Sequence, residues 1–200
     1  MAVAVIKYYL AMGRWQPDAP GRLARAAFEL FAERGYEQTT VADIASRAGL
    51  TERTFFRHFA DKREVLFSGQ SALKDALVSA IASAPDSAAP LAAVATALES
   101  VGAFFQENRD RARNRQAIIS ANPELRERDL VKLASLATAM AGALRERGVA
   151  EPAASLAAEA GMAVFRVAFE RWVTDAGQPD LPGIIRESLD QLQAVTATAG

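Results

Sequence analysis

The stretch from Thr39 to Phe59, TTVADIASRAGLTERTFFRHF, constrains this chain more than any other. Thr39 and Thr40 offer side-chain oxygens that can cap a helix starting near Val41. Ala45 and Gly49 sit four apart: the small Ala lets two helices approach, and Gly can take the left-handed backbone a tight turn needs. Leu50 plugs that turn, and Thr51 caps a second helix. On the second helix Phe55 and Phe59 are spaced i, i+4 and share a face that should be buried. Arg53 and Arg57 share another face, with His58 beside them. The pattern predicts a helix-turn-helix whose second helix has an anchored aromatic side and a cationic outer side, a shape suited to a DNA major groove.

Composition narrows the rest. Two hundred residues allow one or two domains with a full core. Abundant Ala, modest Gly and Pro, and few β-branched runs favour an all-α chain. There is no Cys and one His, so thiol chemistry, disulfides and thiolate metal sites are excluded and no metal or cofactor is expected. Residues 1–68 hold 10 Lys and Arg against 8 Asp and Glu, the remainder 13 against 16. This asymmetry is weak, so the placement of single arginines, not bulk charge, points to nucleic acid. No apolar run reaches the roughly 18–20 residues a membrane span needs. The opening MAVAVIKYYLAMG is apolar but short, with no basic start and no small-residue cleavage site after it. Residues 1–19 are read as a flexible arm, with Met12 as an alternative start that would leave residues 1–11 outside the natural protein. A cytoplasmic location is expected.

Helical periodicity and breakers then divide the chain. Helices are expected over Arg22–Arg34, Val41–Ala48 and Thr51–Phe59. One long helix from Asp61 to about Ser83 should leave the first unit and enter the second as a lever. After a loop at 84–90, helices are expected over Leu91–Gln106, Pro123–Arg147, Pro152–Asp175 and Pro182–Val195. Between Gln106 and Pro123 a charged segment, Glu107–Arg115, leads into apolar Ala117-Ile118-Ile119. Gly177-Gln178-Pro179-Asp180 reads as a turn. The expected architecture has about nine helices: a three-helix head at residues 20–66, then a helical bundle at 67–200.

Residues 20–66 closely resemble the TetR family of transcriptional regulators. The resemblance rests on Phe28-x-x-Phe31-Ala-Glu-x-Gly35-Tyr36, Thr39-Thr40-Val41-x-x-Ile44-Ala45-x-x-Ala48-Gly49-Leu50 and Thr54-Phe55-Phe56-Arg57-His58-Phe59-x-Asp61-Lys62, followed by Leu66 one residue out of place. It implies a homodimer paired through its last two helices, which reads a pseudo-palindromic double-stranded DNA operator and answers to a small-molecule effector. Carried over residue by residue, it puts Thr51, Arg53, Thr54 and Arg57 against the groove, and Thr40, His58 and Lys62 at phosphates. The family often has Tyr where this chain has Phe56. A phenyl ring cannot hydrogen-bond a phosphate, so Phe56 would touch a thymine methyl or a sugar.

The later residues match less specifically. Asn122–Arg128, with Phe165-Arg166-x-x-Phe169-x-Arg171-Trp172, resembles an actinobacterial-type C-terminal subgroup, some members of which respond to acyl-CoA-like ligands. Phe104, Phe105, Met140, Met162, Phe165, Phe169 and Trp172 are core residues by default and, where a cavity exists, candidates for its wall. The run Arg109, Arg111, Arg113, Arg115 reads first as a solvated face. Its rival readings are contact with the head and binding of an anionic ligand group. The expected function is a ligand-responsive DNA-binding regulator: a repressor released by a small, largely apolar molecule. The alternatives are an activator or a ligand-independent DNA binder of the same fold and, remotely, a helical binding module or enzyme. No nucleotide-binding, metalloprotease or serine-hydrolase motif occurs, so no enzyme is expected.

Overall fold

The computed structural model describes residues 18–177 and 180–197. The expectations for the N-terminal arm and its alternative start, and for Gln178-Pro179 in the turn, lie wholly or largely outside those residues. Among the described residues there are nine α-helices and no strand: α1 (Ala19–Arg34), α2 (Val41–Arg47), α3 (Glu52–His58), α4 (Gln70–Ala82), α5 (Pro90–Gln106), α6 (Arg109–Ala121), α7 (Pro123–Glu146), α8 (Ala153–Thr174) and α9 (Leu181–Thr196). The all-α architecture expected from composition and periodicity is the one observed.

The helices start where local chemistry tells them to. Asp18 caps α1 by accepting from the Gly21 amide at 2.9 Å, and Pro20 sits in its first turn. Prolines occupy the first turn of α5, α7 and α9 as well. Gly35 and Gly148 end α1 and the α7 segment with φ of 87° and 86°, a backbone that L side chains resist.

The expected lever helix from Asp61 to Ser83 is two pieces. A 3-10 turn covers Arg63–Phe67, and α4 begins only at Gln70, after Gly69 at φ −89°, ψ 0°. Asp61 accepts from the amides of Arg63 and Glu64 at 2.8 and 3.1 Å, which tightens the first turn. Val65, Leu66 and Phe67 are consecutive and all buried. Three inward residues in a row do not fit one stripe of an α-helix, and the tighter winding lets all three enter the core.

Two apolar cores result. The larger joins α4, α5, α7, α8 and α9. Its centre depends on small residues: a Cβ on Gly161 of α8 would meet Val94 Cγ1 of α5 at 2.2 Å. The smaller core collects Leu23, Leu30, Phe31, Ile44, Phe55, Phe59 and Val65–Phe67 from the head, together with Ile119 and Leu125 from the α6–α7 corner. The head is therefore closed from below by two fully buried side chains of the second half of the chain.

Candidate nucleic-acid interface

α2 and α3 are both capped, and the caps set their orientation. Thr40 and Asp43 exchange bonds: the Asp43 amide donates to Thr40 Oγ1 at 3.1 Å, and the Thr40 amide donates to Asp43 Oδ2 at 2.9 Å. Thr39 is buried and donates its hydroxyl to the Gly35 carbonyl at 2.8 Å, so it anchors the preceding loop while Thr40 caps. The turn between the helices runs through Gly49 at φ 63°, and the Leu50 amide reaches back to the Ala45 carbonyl at 2.8 Å. Arg22 of α1 donates to the Ala48 carbonyl at the end of α2. Thr51 then caps α3 by accepting from the Thr54 amide at 3.2 Å.

This frame fixes which side of α3 faces out. Phe55 is fully buried and Phe59 nearly so, their rings 5.4 Å apart in the head core. Glu52, Arg53, Phe56, Arg57 and His58 are exposed, and Thr54 is half-buried. Phe56 leaves 54% of its surface open to solvent while its edge meets the Phe55 ring. Arg53 has no hydrogen bond or ion pair among the described residues, and Arg57 has only a 3.4 Å contact with His58 Nε2. Two guanidiniums and an apolar ring thus stand free on one rigid surface, able to make bidentate hydrogen bonds and an apolar contact.

The other expected contacts are placed differently. Lys62 donates to the Tyr36 carbonyl at 2.8 Å and stands 4.1 Å over the Tyr36 ring, so it points back to the α1–α2 loop. Thr40 is exposed, but both its amide and its hydroxyl bond Asp43. Burial, and then the nearby Glu124 carboxylate, hold the Tyr36 phenol well above its ordinary range, so it stays a neutral donor toward Glu124.

In the second core, Phe104, Phe105, Phe165, Phe169 and Trp172 form one chain of ring contacts with centroids 5.4–6.0 Å apart. The rings lie directly against one another. Trp172 is fully buried and donates to Gln106 Oε1 at 2.9 Å. Met140 is buried in the same core. Met162 borders a surface cleft of about 180 Å³ between α7 and α8, with Leu130, Leu133, Glu159 and Arg166.

Three of the four arginines in the run are held by partners, so it is only in part a solvated face. Arg109 donates to the carbonyls of Trp172, Asp175 and Gly177 and closes the end of α8. Arg111 lies 4.9 Å over the Phe28 ring of α1. Arg115 donates to the Leu66 carbonyl and to Asp129, both at 2.8 Å. Two of the four therefore join α6 to the head. Arg113 alone of the four is exposed with no contact among the described residues. Sequence reasoning missed a second link, in which Glu64 of the 3-10 turn accepts from Arg128 and, at 3.3 Å, from Lys132 of α7. These residues edge a cleft of about 860 Å³ between head and body, which His58, Phe67 and Lys74 also line. The signals in the sequence were the head-contact reading of the arginine run and the apolar Ala117-Ile118-Ile119 in a charged segment.

Comparison with known proteins bears on the family and the fold. Residues 23–68 match the family described as bacterial regulatory proteins, tetR family, and residues 88–197 match the MftR C-terminal domain. The HTH-type transcriptional regulator TcmR of Streptomyces glaucescens is 44% identical over 99 residues, covering 44% of this chain and 44% of TcmR. The mycofactocin biosynthesis transcriptional regulator MftR of Mycobacterium tuberculosis is 34% identical over 118 residues, covering 57% of this chain and 58% of MftR. The chain thus spans about half the length of the curated relatives it matches. The fold is that of Thermus thermophilus FadR, solved in complex with lauroyl-CoA: TM-score 0.57 at 20% identity over 90% of this chain and 96% of that one. With its head and its second half both matched, the chain belongs to the TetR family of transcriptional regulators and carries an MftR-type C-terminal domain.

Proposed function

We propose that this protein is a homodimeric transcriptional repressor that a small, largely apolar effector releases from a pseudo-palindromic operator. The observation that carries the reading is the free outer face of α3. Arg53 and Arg57 are unpaired or nearly so, and the Phe55–Phe59 anchor and the Thr51 cap hold them on a rigid helix. Thr51, Arg53, Thr54, Phe56 and Arg57 face the major groove, the arginines reading guanine edges and Phe56 a thymine methyl or sugar. Thr40, His58 and Lys62 contact phosphates, Lys62 by exchanging the Tyr36 carbonyl for a phosphate oxygen. Affinity comes largely from these charges and falls with salt. The regulator works in the cytoplasm, residues 20–66 serving as the reading unit and 67–200 as the effector and pairing unit.

Release follows from the links between the two units. An effector entering between α5 and α8 has to part the rings of Phe104, Phe105, Phe165 and Phe169, with Met140, Met162 and Trp172 nearby. FadR of Thermus thermophilus holds lauroyl-CoA, a ligand with a large apolar part, which supports that chemistry. Repacking there shifts α6 and α7. Their corner residues Ile119 and Leu125, and the Arg115 and Glu64 bonds, carry the shift to the head. Release requires only that effector and operator prefer different head spacings.

The test is binding of purified protein to its own upstream DNA across a salt series, beside the double variant Arg53→Ala/Arg57→Ala. The reading expects one tightly bound fragment for the wild type and loss of that fragment with the folded variant. A wild type that selects no sequence even from random DNA would end it.

A further inference from the structure

The outward face of α8 bears a row of side chains whose order is its own complement. Leu156, Glu159, Ala160, Ala163, Arg166 and Val167 fall into three pairs seven residues apart: 156 with 163, 159 with 166, and 160 with 167. Seven residues are almost two turns, about 10.5 Å along the axis, so each pair lies on one side of the helix. Leu156 leaves 66% of its surface exposed and Val167 51%, among the largest apolar exposures of the described residues. Glu159, Ala163 and Arg166 are exposed and Ala160 half-buried. The row runs large apolar, acid, small, small, base, large apolar. Reversed, it puts acid opposite base and small opposite small.

Arg166 differs from the arginines around it. Arg171 pairs with Glu187 at 3.3 Å, Arg186 with Glu99 at 3.1 Å, and Arg145 with Glu151, so the nearby arginines are satisfied within the chain. Glu159 and Arg166 have no hydrogen bond or ion pair among the described residues. Leu130 of α7, 55% exposed, extends the apolar surface across the small α7–α8 cleft that both charged residues border. A self-complementary patch is what a two-fold interface requires, because each residue meets the partner's counterpart reciprocally.

We propose that α8 packs antiparallel on α8 of a second copy of this chain, with the two-fold axis beside Met162 and Ala163 and with Glu159 of each copy paired to Arg166 of the other. This rests on the homodimer reading above and deepens it by fixing the register and the means of choosing a partner. Ala160 and Ala163 let the two backbones approach at the axis. Leu156 and Val167 close the apolar ends. The two reciprocal ion pairs reject related chains whose charges differ at these positions, since like charges set opposite each other are disfavoured.

Sedimentation equilibrium of the full chain tests this with Glu159→Arg, Arg166→Glu, the double exchange, and an equimolar mixture of the two single variants. Each single variant sets like charges opposite each other and should raise the dimer dissociation constant by about tenfold or more. The double exchange should return it to near the wild-type value. The mixture should form a heterodimer more tightly than either single variant pairs with itself. Because both residues are exposed, helical content by circular dichroism should be unchanged, while the melt moves only as far as the lost dimer contacts move it, and recovery in the mixture shows independently that the chains are folded. Wild-type dimers with single variants as tight as wild type, or no recovery in the double variant and the mixture, overturn the register and leave the homodimer standing. A wild type that stays monomeric at every concentration sinks the homodimer reading itself.

Discussion

The reading head and the α4–α9 body are both helical, yet they are specified by different physics. In the head, order comes from polar signals a few residues apart: the Asp18, Thr40 and Thr51 caps and the positive-φ turn at Gly49. Its helices are short, two of them seven residues each. Helices that short are marginal alone, so caps and a few buried aromatics must hold them. In the body the helices run to 24 residues, and order comes from small residues that let smooth surfaces meet, as Gly161 does against Val94. The comparison teaches that the head should be sensitive to lost hydrogen bonds and the body to added volume.

The largest expected effect separates function from fold. Arg53→Ala/Arg57→Ala removes two bidentate contacts worth about 1–3 kcal/mol each, so operator affinity should fall by roughly 30-fold or more with the melting temperature unchanged. A double variant that binds as tightly as wild type would move the contact surface off α3. Next comes the seam between the regions. Ile119→Ala empties a fully buried site of the head core and should cost about 2–5 kcal/mol of stability in urea unfolding. Because Ile119 belongs to α6, the head's slowly exchanging amides should lose protection as well, which shows that the head does not close alone.

Two smaller substitutions test each region's own rule. Gly161→Val overfills the α5–α8 contact and should cost about 1–3 kcal/mol, with the head's exchange pattern little changed. Thr51→Ala leaves the Thr54 amide without its acceptor and should cost about 1 kcal/mol, read as faster exchange confined to α3. If the cap variant loosens the body or the volume variant the head, the contrast between the regions fails. The smallest effect concerns acid. The Thr40 hydroxyl, followed by its backbone amide, holds the Asp43 carboxyl below its ordinary value. Its contribution is therefore fully present above an unfolded pKa of about 3.9 and is lost as pH falls through the lower folded value. Asp43→Asn should flatten that acid limb of the stability profile and leave stability near pH 7 less changed than Thr51→Ala does.

Much of this was legible from residue order. Caps, turn glycines and first-turn prolines act over three or four residues, so eight of the helices and the outward face of α3 could be read locally, whereas α6 (Arg109–Ala121) read only as a charged segment running into an apolar one. The break at Gly69 was not legible, because Val65, Leu66 and Phe67 also suit one turn of a long α-helix until the head core demands all three. The roles of Arg111 and Arg115 were legible only as a rival reading, contact with the head, behind that of a solvated face. A charged helix face looks solvated until its partners, Phe28 and the Leu66 carbonyl, arrive from distant positions in the chain.

The sequence by itself determined the helix class, the capped reading helix and its outward arginines, because propensity and capping are short-range. Only the tertiary structure decided that the α6–α7 corner closes the head, that the aromatic candidates lie ring against ring, and that Glu64 ties head to body. Those outcomes depend on which surfaces meet in three dimensions, and residues far apart in the chain carry no local trace of meeting.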